Sequence, residues 1–130
     1  MRISLNLLIL LLALSSGAAE ARSFPRVPEA EVVDVEVRGA LTEDQVRAGF
    51  VAATQAEGFQ ACRIAADTDR PGVQWLWLTG TVDVRGRVSG LRVLRSEGPA
   101  APALRCWTRA LRSVALPAAA ETTTFVIELR

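Results

Sequence analysis

The sequence predicts a small α+β two-layer sandwich in the order β-α-β-β-α-β, and three observations carry that expectation. Leu76 to Ser96 has apolar and β-branched residues on both sides of Val84-Arg85-Gly86-Arg87, the pattern of a β-hairpin. Apolar and polar residues alternate at Val33, Val35 and Val37, and again from Thr122 to Leu129. Two stretches with helical spacing lie between these strands. One sheet with both helices on the same face is the simplest way to bury all of these apolar surfaces, and the order matches a split βαβ arrangement.

Arg2 opens an apolar run, Ile3 to Leu14, interrupted only by Ser4 and Asn6. The run is shorter than the roughly 18 residues expected of a membrane-spanning helix. Ala19-Glu20-Ala21 fits a small-x-small cleavage site. Residues 1–21 therefore read as a signal peptide, which places the rest of the chain in the periplasm or outside the cell. An uncleaved anchor is the alternative, and membrane contact is expected only in that case. Residues 22–30 hold Pro25 and Pro28 and read as a short extended lead-in to a single domain, 31–130.

The first strand ends at Gly39. Thr42 and Gln45 then match a capping box, which predicts a helix from about Glu43 to Ile64 with Val46, Phe50 and Ala53 on one face. Gly58 weakens its middle, and Phe59 and Cys62 resume the buried face. Asp67 to Gly72 reads as a turn. Its acidic spacing lacks the Gly and the distal Glu of a calcium loop.

In the hairpin, Leu76, Leu78, Val82 and Val84 share the parity expected to face the core. Trp75 and Trp77 share the other parity. Two explanations are open for the Trp pair. The strand is covered on both faces or bulged near Gly80, or the two Trp form an exposed contact patch. Pro102 starts the second helix, where Leu104, Trp107, Leu111 and Val114 form an apolar stripe. Arg105, Arg109 and Arg112 form the opposite stripe, either a solvated face or a docking patch for an anionic surface.

The net charge of +1 gives no global field that would draw nucleic acid. There is no His, so the usual general base, the commonest metal ligand and the physiological pH switch are all missing. Asp67, Asp69 and Asp83 are expected in turns, and no Ser or Cys has a base beside it. No catalytic residue, metal site or cofactor is expected. Cys62 and Cys106 lack Cys-x-x-Cys spacing. An even count in an exported chain favours a disulfide that would staple the two helices; two free buried thiols are the alternative.

Gly80-Thr81-Val82-Asp83, Gly86-Arg87-Val88, Leu91 to Ser96, Gly98, and Cys106 opening a helix that ends in Leu116-Pro117 form a composite pattern. It resembles the C-terminal domain family of AgmX/PglI gliding-motility proteins and, more distantly, TonB C-terminal domains. The AgmX/PglI branch also has one Cys late in its first helix and one at the start of its second, as Cys62 and Cys106 stand here. The resemblance covers about residues 31–130 and implies a TonB C-terminal-like fold and a non-enzymatic protein-binding module. Docking would occur by strand addition at a sheet edge, with main-chain hydrogen bonds supplying affinity. Only Arg22 to Ala30 separates signal from domain, so force transmission across the periplasm is not expected.

The leading expectation is an envelope domain that binds a protein partner through the edge of the final strand and through Trp75 and Trp77. An unpaired final strand would also leave a homodimer through the sheet edge open. The alternative is binding to an envelope glycan or lipid surface through the Arg-rich helix face.

Overall fold

The computed structural model describes residues 30–130; the expected signal peptide, its expected cleavage after Ala21 and the expected lead-in up to Glu29 lie outside the described residues. Strands β1 (Val32–Gly39), β2 (Trp75–Val82), β3 (Val88–Glu97) and β4 (Thr123–Leu129) form one antiparallel sheet in the order β1-β4-β2-β3. Helices α1 (Glu43–Thr54), α2 (Glu57–Asp69) and α3 (Ala101–Leu111) supply the second layer. The chain is thus α+β with two split crossovers. Strand β4 lies between β1 and β2, and β2 lies between β3 and β4.

This order corrects the expectation of a free final strand. Strand β4 pairs on both sides, from Gly39↔Thr123 to Val32↔Leu129 with β1 and from Val82↔Thr123 to Leu76↔Leu129 with β2. Each helical crossover skips one strand, so β4 fills the gap left between β1 and β2, and Thr123, Phe125, Ile127 and Leu129 are buried there. The open edges belong to β1 and β3.

Helix α1 begins as expected. The Gln45 N–H donates to Thr42 Oγ1 at 3.2 Å, and the Thr42 N–H donates to Gln45 Oε1 at 3.0 Å. Glu43 and Asp44 in the first turn favour the positive end of the helix. The expected single helix to Ile64 is instead two helices, and the break is not at Gly58. Helix α1 stops at Thr54, and Ala56 turns extended (φ −68°, ψ 145°) to begin α2. The Gln60 side-chain amide donates to the Thr54 carbonyl at 2.8 Å and fastens the corner. The break re-aims the chain so that Phe59, Cys62 and Ala66 face the core that Val46 and Phe50 face from α1. Asp67 to Asp69 continue α2 rather than forming a turn.

The hairpin turn is held by Asp83, whose carboxylate accepts from the backbone N–H groups of Arg85 and Arg87, each at 2.9 Å. Gly86 has φ +85°, and a Cβ there would lie 2.0 Å from the Leu116 carbonyl oxygen, so only glycine fits. Val84 falls in this turn and is 46% exposed, outside the core it was expected to join.

Along β2 the alternation holds without a break. Leu76, Leu78, Gly80 and Val82 are buried, while Trp75, Trp77, Thr79 and Thr81 are half-buried. Gly80 is not a bulge. It makes room for Phe125, whose ring would lie 2.8 Å from an added Cβ. In β1 the register shifts between Val32 and Asp34, so Val32 and Val35 are buried and the expected alternation from Val33 does not hold. In β3, Trp77 pairs with Arg95 and Leu78 with Val93, leaving Leu94 extra and 48% exposed. A second shift lies between Thr79↔Arg92 and Thr81↔Ser89.

Helix α3 buries Trp107 and Leu111, with Val114 buried just beyond its end. Phe50 packs on Phe125 with centroids 5.1 Å apart, and Phe59 packs on Trp107 at 5.6 Å. Cys62 and Cys106 are disulfide-bonded, with Cα atoms 5.6 Å apart, and join α2 to α3. On the chain-entropy account a closed loop of this length stabilises the fold by roughly 4 kcal/mol.

Candidate functional site

Among the described residues, the helices cover one face of the sheet and leave the other open. Strand parity and pairing together define the open face. One row across it reads Asp34, Glu128, Trp77, Arg95, from β1 through β4 and β2 to β3. The next reads Glu36, Val126, Thr79, Arg92, and a third reads Arg38, Thr124, Thr81, Ser89. Trp75, paired with Glu97, closes the face at the other end.

Trp75 and Trp77 stand on this face and are half-buried. Among the described residues, neither a second layer nor a bulge in β2 accounts for them. They are supported by local side chains instead. The Trp75 indole N–H donates to Glu97 Oε2 at 2.9 Å, and the Arg95 guanidinium lies over the Trp75 ring, 5.9 Å from its centroid. Glu128, largely buried, accepts from Arg130 Nε at 3.0 Å. The Thr79 hydroxyl donates to the Phe125 carbonyl at 2.9 Å. These bonds fix the floor of the face and leave the Arg92, Arg95 and Glu36 side chains exposed around it. A depression of about 350 Å³ lies toward the β1 side, between Glu36, Arg38, Glu43, Thr79, Thr124 and Val126.

Arg92, Arg95 and the carboxylates of β1 and β4 were not singled out from the sequence. Strict alternation from Leu91 places Arg92 and Leu94 together and Arg95 on the opposite face. The bulge at Leu94 reverses that and brings Arg95 onto the same face as Arg92 and the two Trp. A charged residue three positions from another in a strand was the available signal, but it could be read only by assuming the bulge.

Arg105 and Arg109 on α3 and Arg112 at its C-cap are exposed, away from the Trp107 and Leu111 side that packs on the core. They lie on the opposite side of the domain from Trp75 and Trp77, so the two candidate contact sets do not form one site. The one ion pair among the described residues is Arg130 with Glu128, so the Arg stripe has no carboxylate partner there. Arg109 sits in the last turn of α3, where a cation complements the negative end of the helix.

Arg63 is a further residue that the sequence concealed. It is 7% exposed on α2, donates from Nη1 to the Arg130 carbonyl at 2.9 Å, and lies over the Trp107 ring at 5.7 Å. Burial lowers its pKa from the usual guanidinium value, and Asp67 opposes that shift. Its contacts are with the core, so its role is to join α2 to the end of β4.

The carboxylates weighed for catalysis are not gathered. Asp83 holds the hairpin turn, whereas Asp67 and Asp69 lie in the last turn of α2. A second hollow, about 320 Å³, borders the disulfide and is lined mainly by small residues of α2 and α3, including Ala66, Asp69, Pro102 and Ala103. Among the described residues, no three Cys, Asp or Glu side chains converge as metal ligands, and no helix is long and apolar enough to cross a membrane. No family model, no curated protein and no solved structure matches the chain.

Proposed function

We propose that this protein is an exported, non-enzymatic interaction domain of the cell envelope that docks a protein partner on the open face of its sheet. The observation that carries the reading is the placement of Trp75 and Trp77. Two large aromatic side chains occupy a face that no helix among the described residues covers, ringed by exposed charges. Such an aromatic centre with a polar rim is how protein interfaces concentrate their binding energy. The resemblance to AgmX/PglI and TonB C-terminal domains supports the same class of function. In that family a partner adds as a strand, and the edges available for it here are β1 and β3. The disulfide suits the oxidising compartment that the leader implies, periplasmic or extracellular.

The alternative, contact with a glycan or lipid surface, rests on the exposed Arg105, Arg109 and Arg112, which have no carboxylate partner among the described residues. The two readings use opposite sides of the domain, so one experiment separates them. A photo-crosslinking residue is placed at Trp77 in one variant and at Arg109 in another, and each is irradiated with envelope extract from the producing cell. Protein adducts at Trp77 alone are the expected result. Adducts at neither position, with salt-sensitive retention on membranes that is lost in an Arg105→Ala, Arg109→Ala, Arg112→Ala variant, would overturn the proposal in favour of the alternative.

A further inference from the structure

The charges of the open face are sorted by strand. Its β1 side is acidic, with Asp34 and Glu36, and its β3 side is basic, with Arg92 and Arg95. Glu128 on β4, next to Trp77 in register, is already ion-paired with Arg130, so the free acidic charge of the face is that of Asp34 and Glu36. We propose that this face pairs with the same face of a second copy of this chain, about a two-fold axis running parallel to the strands. The proposal rests on the reading that the open face is a docking surface, and it goes further by naming the occupant.

The argument is one of symmetry. Two sheets that meet face to face are related by an axis lying in the plane between them. If that axis runs along the strands, each row is turned over onto itself, so β1 of one copy lies over β3 of the other. Asp34 then faces Arg95 and Glu36 faces Arg92, and each pairing occurs twice. Trp77 of each copy lies over the β4 strand of the other. An axis across the strands would place β1 over β1 and β3 over β3, stacking like charges. Only one of the two arrangements is therefore electrostatically complementary. The charges that break the sorting lie in the end rows. Glu97 is occupied by the Trp75 indole, Arg130 by Glu128, and Arg38 falls opposite Ser89.

The size of the face sets the expected strength. Four strands at about 4.8 Å spacing and about eight residues of about 3.4 Å give roughly 500 Å² per copy, or about 1,000 Å² in total. That is the lower bound for a specific interface, so the dimer should have a Kd in the micromolar range or weaker.

The test is sedimentation velocity on the disulfide-intact protein from about 1 μM to about 1 mM, at low and high salt. The expected result is a monomer–dimer equilibrium that weakens at least tenfold at high salt. Asp34→Arg with Glu36→Arg should abolish it, as should Arg92→Glu with Arg95→Glu. Mixing those two variants should restore a heterodimer, which also shows that both variants are folded. A wild type that stays monomeric throughout overturns the proposal. So does a dimer that survives both charge reversals, which would place the contact at the β1 or β3 edge, and so does a mixture that fails to associate. If the protein is monomeric yet Trp77 still crosslinks to a different protein, the docking face stands and only the choice of occupant falls. If neither association nor crosslinking is seen, both fall.

Discussion

Leu76, Leu78 and Val82 face the helices and are at most 1% exposed, whereas Trp75 and Trp77, one residue away on the same strand, stand half-buried on a face that no helix among the described residues covers. On this strand both aromatic side chains are on the side that the fold does not use for its core. The inner face is closed by Phe50, Phe59, Trp107 and Phe125 and stapled by Cys62–Cys106. The outer face is held only by single bonds such as Trp75 to Glu97. A side chain whose burial is complete is accounted for by stability. One left half-covered among charges has area to offer another molecule. The contrast separates what makes the domain fold from what the domain presents.

The largest effect should come from the staple of the inner layer. Replacing Cys62 and Cys106 with Ser should cost about 4 kcal/mol on the chain-entropy account. In a domain this size that corresponds to a Tm lower by roughly 15–30 °C, read by calorimetry of the oxidised wild type against the variant. A drop of only a few degrees would mean that the inner layer holds without its covalent link.

Neighbouring residues of β2 give the sharpest comparison. Leu78→Ala empties a site of zero exposure and should cost about 2–5 kcal/mol in urea unfolding. Trp77→Thr keeps a β-forming residue on the open face and should cost about 1 kcal/mol, while partner crosslinking or self-association is lost. Equal destabilisation by both changes would dissolve the distinction between the faces.

The smallest effect concerns the turn that sets the hairpin register, and with it which face each residue occupies. The Arg87 backbone N–H, followed by that of Arg85, lowers the pKa of Asp83 below its ordinary value. A depressed carboxyl pKa contributes stability above the unfolded value, and that contribution is lost as pH falls through the folded value. Urea midpoints of the wild type should therefore fall on acidification, and Asp83→Asn should flatten the acid side of that profile. An unchanged profile would remove the carboxylate from the account of the turn.

Much of this architecture was legible where a pattern is local. The capping box at Thr42, the stripe through Trp107 and Leu111 and the alternation of Leu76 with Trp77 each depend on residues within one element, and each appears as read. The break at Ala56 was hidden because Gly58, the conspicuous helix breaker, is tolerated inside the first turns of α2. The central place of β4 was hidden because periodicity reports which face is buried and not which strand lies alongside. Arg63 was hidden because an arginine in a helix reads as surface until Trp107 and the Arg130 carbonyl surround it. Of the open face, the Trp pair was visible and its charged surroundings were not, since the bulge at Leu94 alone puts Arg95 beside Arg92.

The place of β4 also governs the sequence of assembly. Both β1 and β2 take β4 as a sheet neighbour, and β1 has no other. A chain emerging from its N-terminal end can close the β2–β3 hairpin early, but it leaves β1 idle until Thr123–Leu129 arrives. The sheet is thus completed by its last strand, across a separation as wide as Glu31 to Arg130. Such distant pairing is slow to form. A polypeptide that must be threaded through a narrow pore before it folds would be kept open by this ordering, and a ribosome stalled before β4 would carry a hairpin and helices with no sheet to join.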